Sequence, residues 1–244
     1  MTDKERRRLN INGYSFFLKN TPAGIFRQGK TEVFLGKSDY LWAYIFSSSV
    51  AELESLLPKI VEKTLYFAAV EEWMLSLLKK KSEVEWVLST TRFIFPDEGH
   101  AAKPDIHVED LKPEDAEIIY AESDYQAYAD VSYIRERIIA GPAVCIRKGG
   151  QLAAWAMTHD DGALGVLHVR PPWRRGHLAE NLVRFLIREK QKRREPLFLN
   201  IEPGNRASYS LALKLGFEEE KPIYWVKLAE GCSLSSDRSG EGSG

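Results

Sequence analysis

Residues 164–179, Leu-Gly-Val-Leu-His-Val-Arg-Pro-Pro-Trp-Arg-Arg-Gly-His-Leu-Ala, hold the groups best suited to chemistry. They read as a strand that ends in a tight basic turn and opens directly into a helix. Such a turn aims several backbone N–H groups and the positive end of a helix dipole at one point, which makes an anion site. Arg174 and Arg175 add charge, and Gly176 and Ala179 keep bulk away from the backbone where a phosphate would approach. The expected guest is a pyrophosphate. The alternative is an ordinary strand-to-helix connection with solvated arginines.

The surrounding chain bounds what this turn can serve. Its 244 residues are enough for two modest cores. With 44% hydrophobic and 28% charged residues and a formal net charge of −1, it offers no global field for nucleic acid, so phosphate recognition is expected to be local. No apolar run approaches the roughly 20 residues that span a bilayer, and the charged start Met1–Arg8 has no apolar stretch behind it, so neither a membrane anchor nor a secretory leader is expected. The cysteines, Cys145 in an apolar run and Cys232 in a polar tail, lack metal or redox spacing. No metal is expected, and a reducing, cytoplasmic setting fits.

The elements that must position the turn can be read from local pattern. Before it, residues 30–36, 40–46 and 85–95 read as strands, and two apolar stripes at helical spacing, Val50, Leu53, Leu57, Ile60, Val61 and Val70, Trp73, Met74, Leu77, Leu78, read as core-facing helices. Pro96–Pro104 is rich in turn formers and is taken as a boundary. Beyond it come a strand over 105–111, a helix with Pro113 in its first turn, and a helix over 131–140 capped by Asp130 and stopped by Gly141-Pro142. Strands over 143–147, 151–158 and 163–170 come next, joined by the hairpin signals Gly149-Gly150 and Asp160-Asp161-Gly162. The helix after the basic turn shows Leu178, Leu182, Val183 and Leu186 on one face and Glu180, Asn181, Arg184 and Arg188 on the other. A strand over 196–202, a helix over 205–215 ended by Gly216, and a strand over 217–228 that closes the sheet complete the order. The division expected is an N-terminal α+β domain over 1–100, a second domain over 101–229 and a disordered tail over 230–244.

The spacing Arg174-x-x-His177-x-Ala179, followed by Asn205-Arg-Ala-Ser208 and Lys214-Leu-Gly-Phe217, resembles the signature of the GNAT acyltransferases. The runs 133–142 and 167–176 give the nearest resemblance to bacterial relatives of glycine N-acyltransferase, which also carry an extra N-terminal domain. The resemblance implies an α+β GNAT fold with a central mixed, mostly antiparallel sheet flanked by helices. It implies acetyl-CoA, or another acyl-CoA, as co-substrate. The pantetheine arm would bond the strand backbone at Leu167, His168 and Val169 as a pseudo-strand. The pyrophosphate would meet the N–H groups of Arg174, Arg175, Gly176, His177, Leu178, Ala179 and Glu180. Asn205 would lie near the pantetheine, with a plain helix cap as the alternative. The reaction it implies would be direct attack of a small amine or amino acid on the thioester, by a monomer or homodimer with no nucleic-acid or membrane partner.

The catalytic groups depart from the family's pattern. Its usual tyrosine acid is replaced by Ala212, leaving Tyr209 one turn earlier as a substitute. Strand positions that carry a base in some relatives are Ala163 and Gly165. His168 has the opposite side-chain parity unless a bulge intervenes, and His159 beside Asp160 and Asp161 is a second candidate base. For each histidine a packed or exposed residue without a catalytic role is the competing reading. His177 stands where the phosphate turn usually has glycine, so either the turn shifts to Gly176 or His177 contacts phosphate. Other readings are a catalytically weak acyl-CoA-binding or sensor module, and a transferase for a protein N-terminus or lysine.

Overall fold

The computed structural model describes residues 1–123 and 130–231. Cys232 and nearly all of the expected tail therefore lie outside the described residues. In chain order the elements are α1 (Asp3–Leu9), α2 (Ile11–Phe17), β1 (Gly24–Gln28), β2 (Thr31–Lys37), β3 (Leu41–Phe46), α3 (Val50–Val61), β4 (Tyr66–Val70), α4 (Glu72–Lys81) and β5 (Val84–Ile94). Then come β6 (Glu109–Asp110), α5 (Ala116–Ala121), α6 (Val131–Ala140), β7 (Ala143–Lys148), β8 (Gln151–Thr158), β9 (Leu164–Val169), α7 (Leu178–Lys192), β10 (Phe198–Ile201), α8 (Arg206–Lys214) and β11 (Glu218–Leu228). The fold is α+β.

Among the described residues these elements form two compact units, one made of Met1–Gly13, Thr21–Leu88 and residues 223–231, the other of Tyr14–Asn20 and the described part of Ser89–Pro222. The division does not follow the boundary expected near residue 100, because β5 and β11 each contribute residues to both units.

The first unit pairs β1–β2–β3–β4–β11. Antiparallel β2 and β3 are followed by the parallel pair β3–β4, which needs a crossover, and α3 supplies it. Ser49 caps α3 by accepting the Glu52 N–H at 3.3 Å. The buried stripe of α3 is Leu53, Leu56, Leu57 and Ile60; Val50, expected in it, is 52% exposed at the first helical turn. Val70 is buried as the last residue of β4, not in α4 as expected. Five residues make too short an apolar run for helix periodicity to separate from a buried strand.

The second unit pairs β5–β10–β9–β8–β7–β6, with α7 on one face and α5 and α6 on the other. The hairpin strands and helices 131–140, 178–192 and 206–214 fall where local signals placed them. Asp130 accepts the Tyr133 N–H at 2.7 Å, and Gly216 ends α8 at φ +90°. Burial pushes the Cys145 thiol up to about 11, so it remains a packed small hydrophobe.

Three expectations need correction here. The strand over 105–111 shrinks to Glu109–Asp110, because the Asp105 N–H donates to Asn181 Oδ1 at 2.6 Å rather than to a neighbouring strand. Asn181 is thus buried, as is Glu180, although helical spacing assigned both to the solvent face of α7. β11 does not close the sheet against β10. That place is taken by β5, paired antiparallel from Phe198↔Ile94 to Ile201↔Thr91, while β11 continues along β4.

Candidate active site

The site is built from β9, the basic turn after it and the start of α7. β9 and β10 run parallel but are in register only at Leu199↔Leu164, so the edge of β9 beyond Leu164 turns away from its neighbour. Leu164 and Leu199 both pack toward α7. Alternation therefore places Gly165 and Asn200 on the opposite face, at the mouth of the opening between the strands.

β9 also carries a bulge. Its register against β8 shifts between Trp155↔His168 and Met157↔Gly165, and Val166 lies in the left-handed region at φ +47°. The extra residue puts His168 on the same face as Gly165, toward Trp155 and α6, while Leu167 and Val169 pack toward α7. Parity alone had set His168 against Gly165; the bulge reverses that.

The basic turn keeps its expected form. After a 3-10 turn over Pro171–Trp173, both Arg175 (φ +65°) and His177 (φ +58°) are left-handed. Each such non-glycine residue costs roughly 1–2 kcal/mol, and together they form a concavity of backbone donors. His177 is the N-cap of α7 and gives it no side-chain cap. The register has thus not shifted to Gly176: the left-handed position is His177 itself. The Arg174 N–H is spent on Pro171 O at 3.3 Å, and its Nε donates to Val169 O at 3.0 Å. Arg175, Gly176 and His177 show no backbone N–H bond among the described residues and are exposed. An open, uncapped helix start at the end of a half-unpaired strand fits a pyrophosphate with an extended arm.

Glu180 sits in the first turn of α7, where a carboxylate is favoured by the dipole. It is held by Lys214 at 2.5 Å, Arg184 at 2.5 Å and His177 at 3.3 Å. Lys214 first, and then the His177 hydrogen bond, keep it below the usual carboxylate range against the opposing effect of burial. Asn205 caps α8 by accepting the Ser208 N–H at 3.1 Å, which realises the cap reading and leaves its amide N–H₂ as donor. Tyr209 is exposed, donates to Glu219 at 2.5 Å and packs edge-on against Phe93. The Glu219 hydrogen bond holds its phenol above the usual range.

The two candidate histidines differ sharply. His168 stacks on Trp155 with ring centres 4.5 Å apart, and its Nε2 is 3.7 Å from Glu122. Glu122 is clamped by Arg170, which also donates to Leu152 O at 2.7 Å, and Arg170 in turn holds the Glu122 carboxyl low. His159 lies over Gly165: a methyl group added to Gly165 would sit 2.5 Å from His159 Cδ2 and closer still to Nε2. Its imidazole makes no hydrogen bond or ion pair among the described residues.

Sequence reading missed several polar groups on this face. Asn200 Oδ1 and Thr90 Oγ1 are buried with no partner among the described residues, and the buried Arg92, directly opposite Asn200, pairs with Glu220 at 2.5 Å. The available signal was a lone Asn or Arg inside an otherwise apolar strand. Among the described residues no group of three or more His, Cys, Asp or Glu is placed to hold a metal, and no helix is long and apolar enough to cross a membrane.

This architecture is that of the GNAT acetyltransferases. Residues 144–226 match the family model described as FR47-like protein. Among solved structures, a Drosophila protein superposes with a TM-score of 0.71 at 22% identity, covering 86% of this chain and 78% of that one. A protein of Novosphingobium aromaticivorans assigned to the GNAT acetyltransferases gives 0.57 at 16% identity, covering 93% and 97%. A GCN5-related N-acetyltransferase from Kribbella flavida gives 0.55 at 15% identity, covering 89% and 94%. No curated protein matches this chain. The likeness to these structures is one of fold, and the similarity to the FR47-like family model is confined to residues 144–226.

Proposed function

We propose that this chain is an acyl-CoA-dependent N-acyltransferase that transfers acetyl from acetyl-CoA to a small amine or amino acid. The observation that carries the reading is the uncapped, left-handed turn at Arg175 and His177, joined to a strand whose edge parts from β10 after Leu164. In this reading the N–H groups from Arg175 to Glu180 hold the pyrophosphate, with Arg174 and Arg175 adding charge. The backbone of Leu167, His168 and Val169 receives the pantetheine arm, and the amide of Asn205 lies beside it. A backbone N–H at the bulge is the donor for the developing oxyanion, a role worth roughly 3–4 kcal/mol when preorganised. Tyr209, kept protonated by Glu219, is the proton source for the departing thiolate.

Arg174→Ala combined with Arg175→Ala is expected to weaken CoA binding about tenfold at low salt, since exposed charges contribute up to about 1 kcal/mol each. The loss should shrink as salt rises. Both side chains are exposed, so folding should be unaffected. Calorimetry with CoA at two salt concentrations checks this; unchanged affinity in the folded double variant would remove the phosphate assignment.

A further inference from the structure

We propose that His159 is the general base of this site, reaching over Gly165 from the end of β8, and that Asn200 holds the acceptor's amino group beside it. The inference rests on the acyltransferase reading and deepens it. Gly165 is the residue on β9 from which a side chain would enter the opening between β9 and β10, and the His159 imidazole fills that space instead. The backbone that carries the ring is fixed by the turn, because the His159 N–H donates to Ala163 O at 2.9 Å and its carbonyl accepts the Gly162 N–H at 3.0 Å. Asn200 is the next residue across the opening on the same face, with a buried carbonyl oxygen that has no donor among the described residues. A buried acceptor without a partner is costly, and the N–H of an amine satisfies it. His168, on the same face, is stacked on Trp155 and sits beside Glu122, so it is not placed to do this work.

The step balances. The acceptor enters as an ammonium and gives one proton to His159 Nε2, which passes it to solvent. The freed nitrogen forms a bond to the thioester carbonyl carbon and the carbon–sulfur bond breaks; the departing thiolate takes its proton from Tyr209, and the nitrogen's second proton leaves to solvent, from which Tyr209 is reprotonated. The titratable groups on the elements packed at this hairpin are Asp160 and Asp161 beside His159 in the chain and, on α6 against those two carboxylates, Tyr133 with Arg137 beside its ring. Lys190 of α7 lies behind Gly162. Burial first, and then Asp160, keep the Tyr133 phenol protonated, so it does not compete as base.

The experiment measures kcat/KM against pH with acetyl-CoA and a panel of free amino acids and short alkylamines of differing basicity. In the wild type one acidic limb should move with the basicity of the amine and another should stay. His159→Ala should remove the fixed limb and lower kcat/KM about 10²-fold, with CoA affinity unchanged and activity partly restored by added imidazole. His159→Ala with Gly165→Glu should restore a fixed limb, since the carboxylate then enters from β9. Asn200→Ala should raise KM for the amine more than it lowers kcat. Wild-type turnover that persists in a folded His159→Ala, with the fixed limb intact, overturns the inference alone. A wild-type protein that binds no CoA, or acylates no amine of the panel, overturns the acyltransferase reading and the inference with it.

Discussion

Trp155→Ala should be the most damaging single change on the acceptor face, lowering stability by about 3–5 kcal/mol. Trp155 is 1% exposed and central to the cluster formed by β7, β8, α5 and α6. Its ring also carries the stacked His168 and has the Arg170 guanidinium 5.9 Å from its centre. Truncation leaves a cavity and removes the floor under the Glu122–Arg170 clamp. A domain of this size should lose on the order of 10 °C in Tm, and Trp155→Phe should recover much of it by refilling most of the volume. Calorimetric melting of both variants checks this; a Trp155→Ala protein melting within about 2 °C of the wild type would show that the ring is not packed as described.

The second large effect concerns Lys190. Its side chain is fully buried in α7, donates to Gly162 O, lies 3.7 Å from Glu195 and sits against the Phe198 ring. Burial pulls the ammonium down to about 8 from an ordinary 10.5, against the pull of Glu195 and Asp161 and with the help of Lys19. Below about 8 both folded and unfolded chains carry the proton, and the penalty of the buried charge is fully present. Between about 8 and 10.5 the folded chain has lost a proton that the unfolded chain keeps, so stability rises with pH. The gain approaches about 3 kcal/mol above that window. Lys190→Met should abolish the rise, while Glu195 keeps Lys19 at 2.7 Å as partner. Urea midpoints at pH 7 and pH 10 for both proteins measure it. Equal pH dependence in the two would place the ammonium in solvent.

The same lysine ties α7 to the 159–163 hairpin, which carries His159. Helix-to-hairpin packing thus includes a buried ammonium bonded to the turn beside the proposed base. In the sequence, Lys190 is one residue of the basic run 190–194, and nothing in that run marks which of its charges is buried. Only the turn at Gly162 folding back onto α7 buries it.

What the sequence determined by itself is local. Asp130, Asn205 and Gly216 mark helix ends because a cap is a bond or a φ angle within a few residues. Gly149-Gly150 and Asp160–Gly162 mark hairpins for the same reason, and the basic turn was legible because strand, glycine, arginines and helix start are contiguous. Tertiary structure decided everything that joins distant residues. β5 took the place beside β10 that chain order assigned to β11, because strand pairing depends on which edge is open and not on sequence position. Asn181 and Glu180 became buried because the 105–106 backbone and Lys214 came to them. The site needed both kinds of information. The glycine at 165 was visible as a missing base, but the bulge at Val166, the parting of β9 from β10 and the imidazole lying over Gly165 exist only once three strands are side by side. A side chain's face can be read from sequence only while the pleat is regular; one inserted residue reverses it.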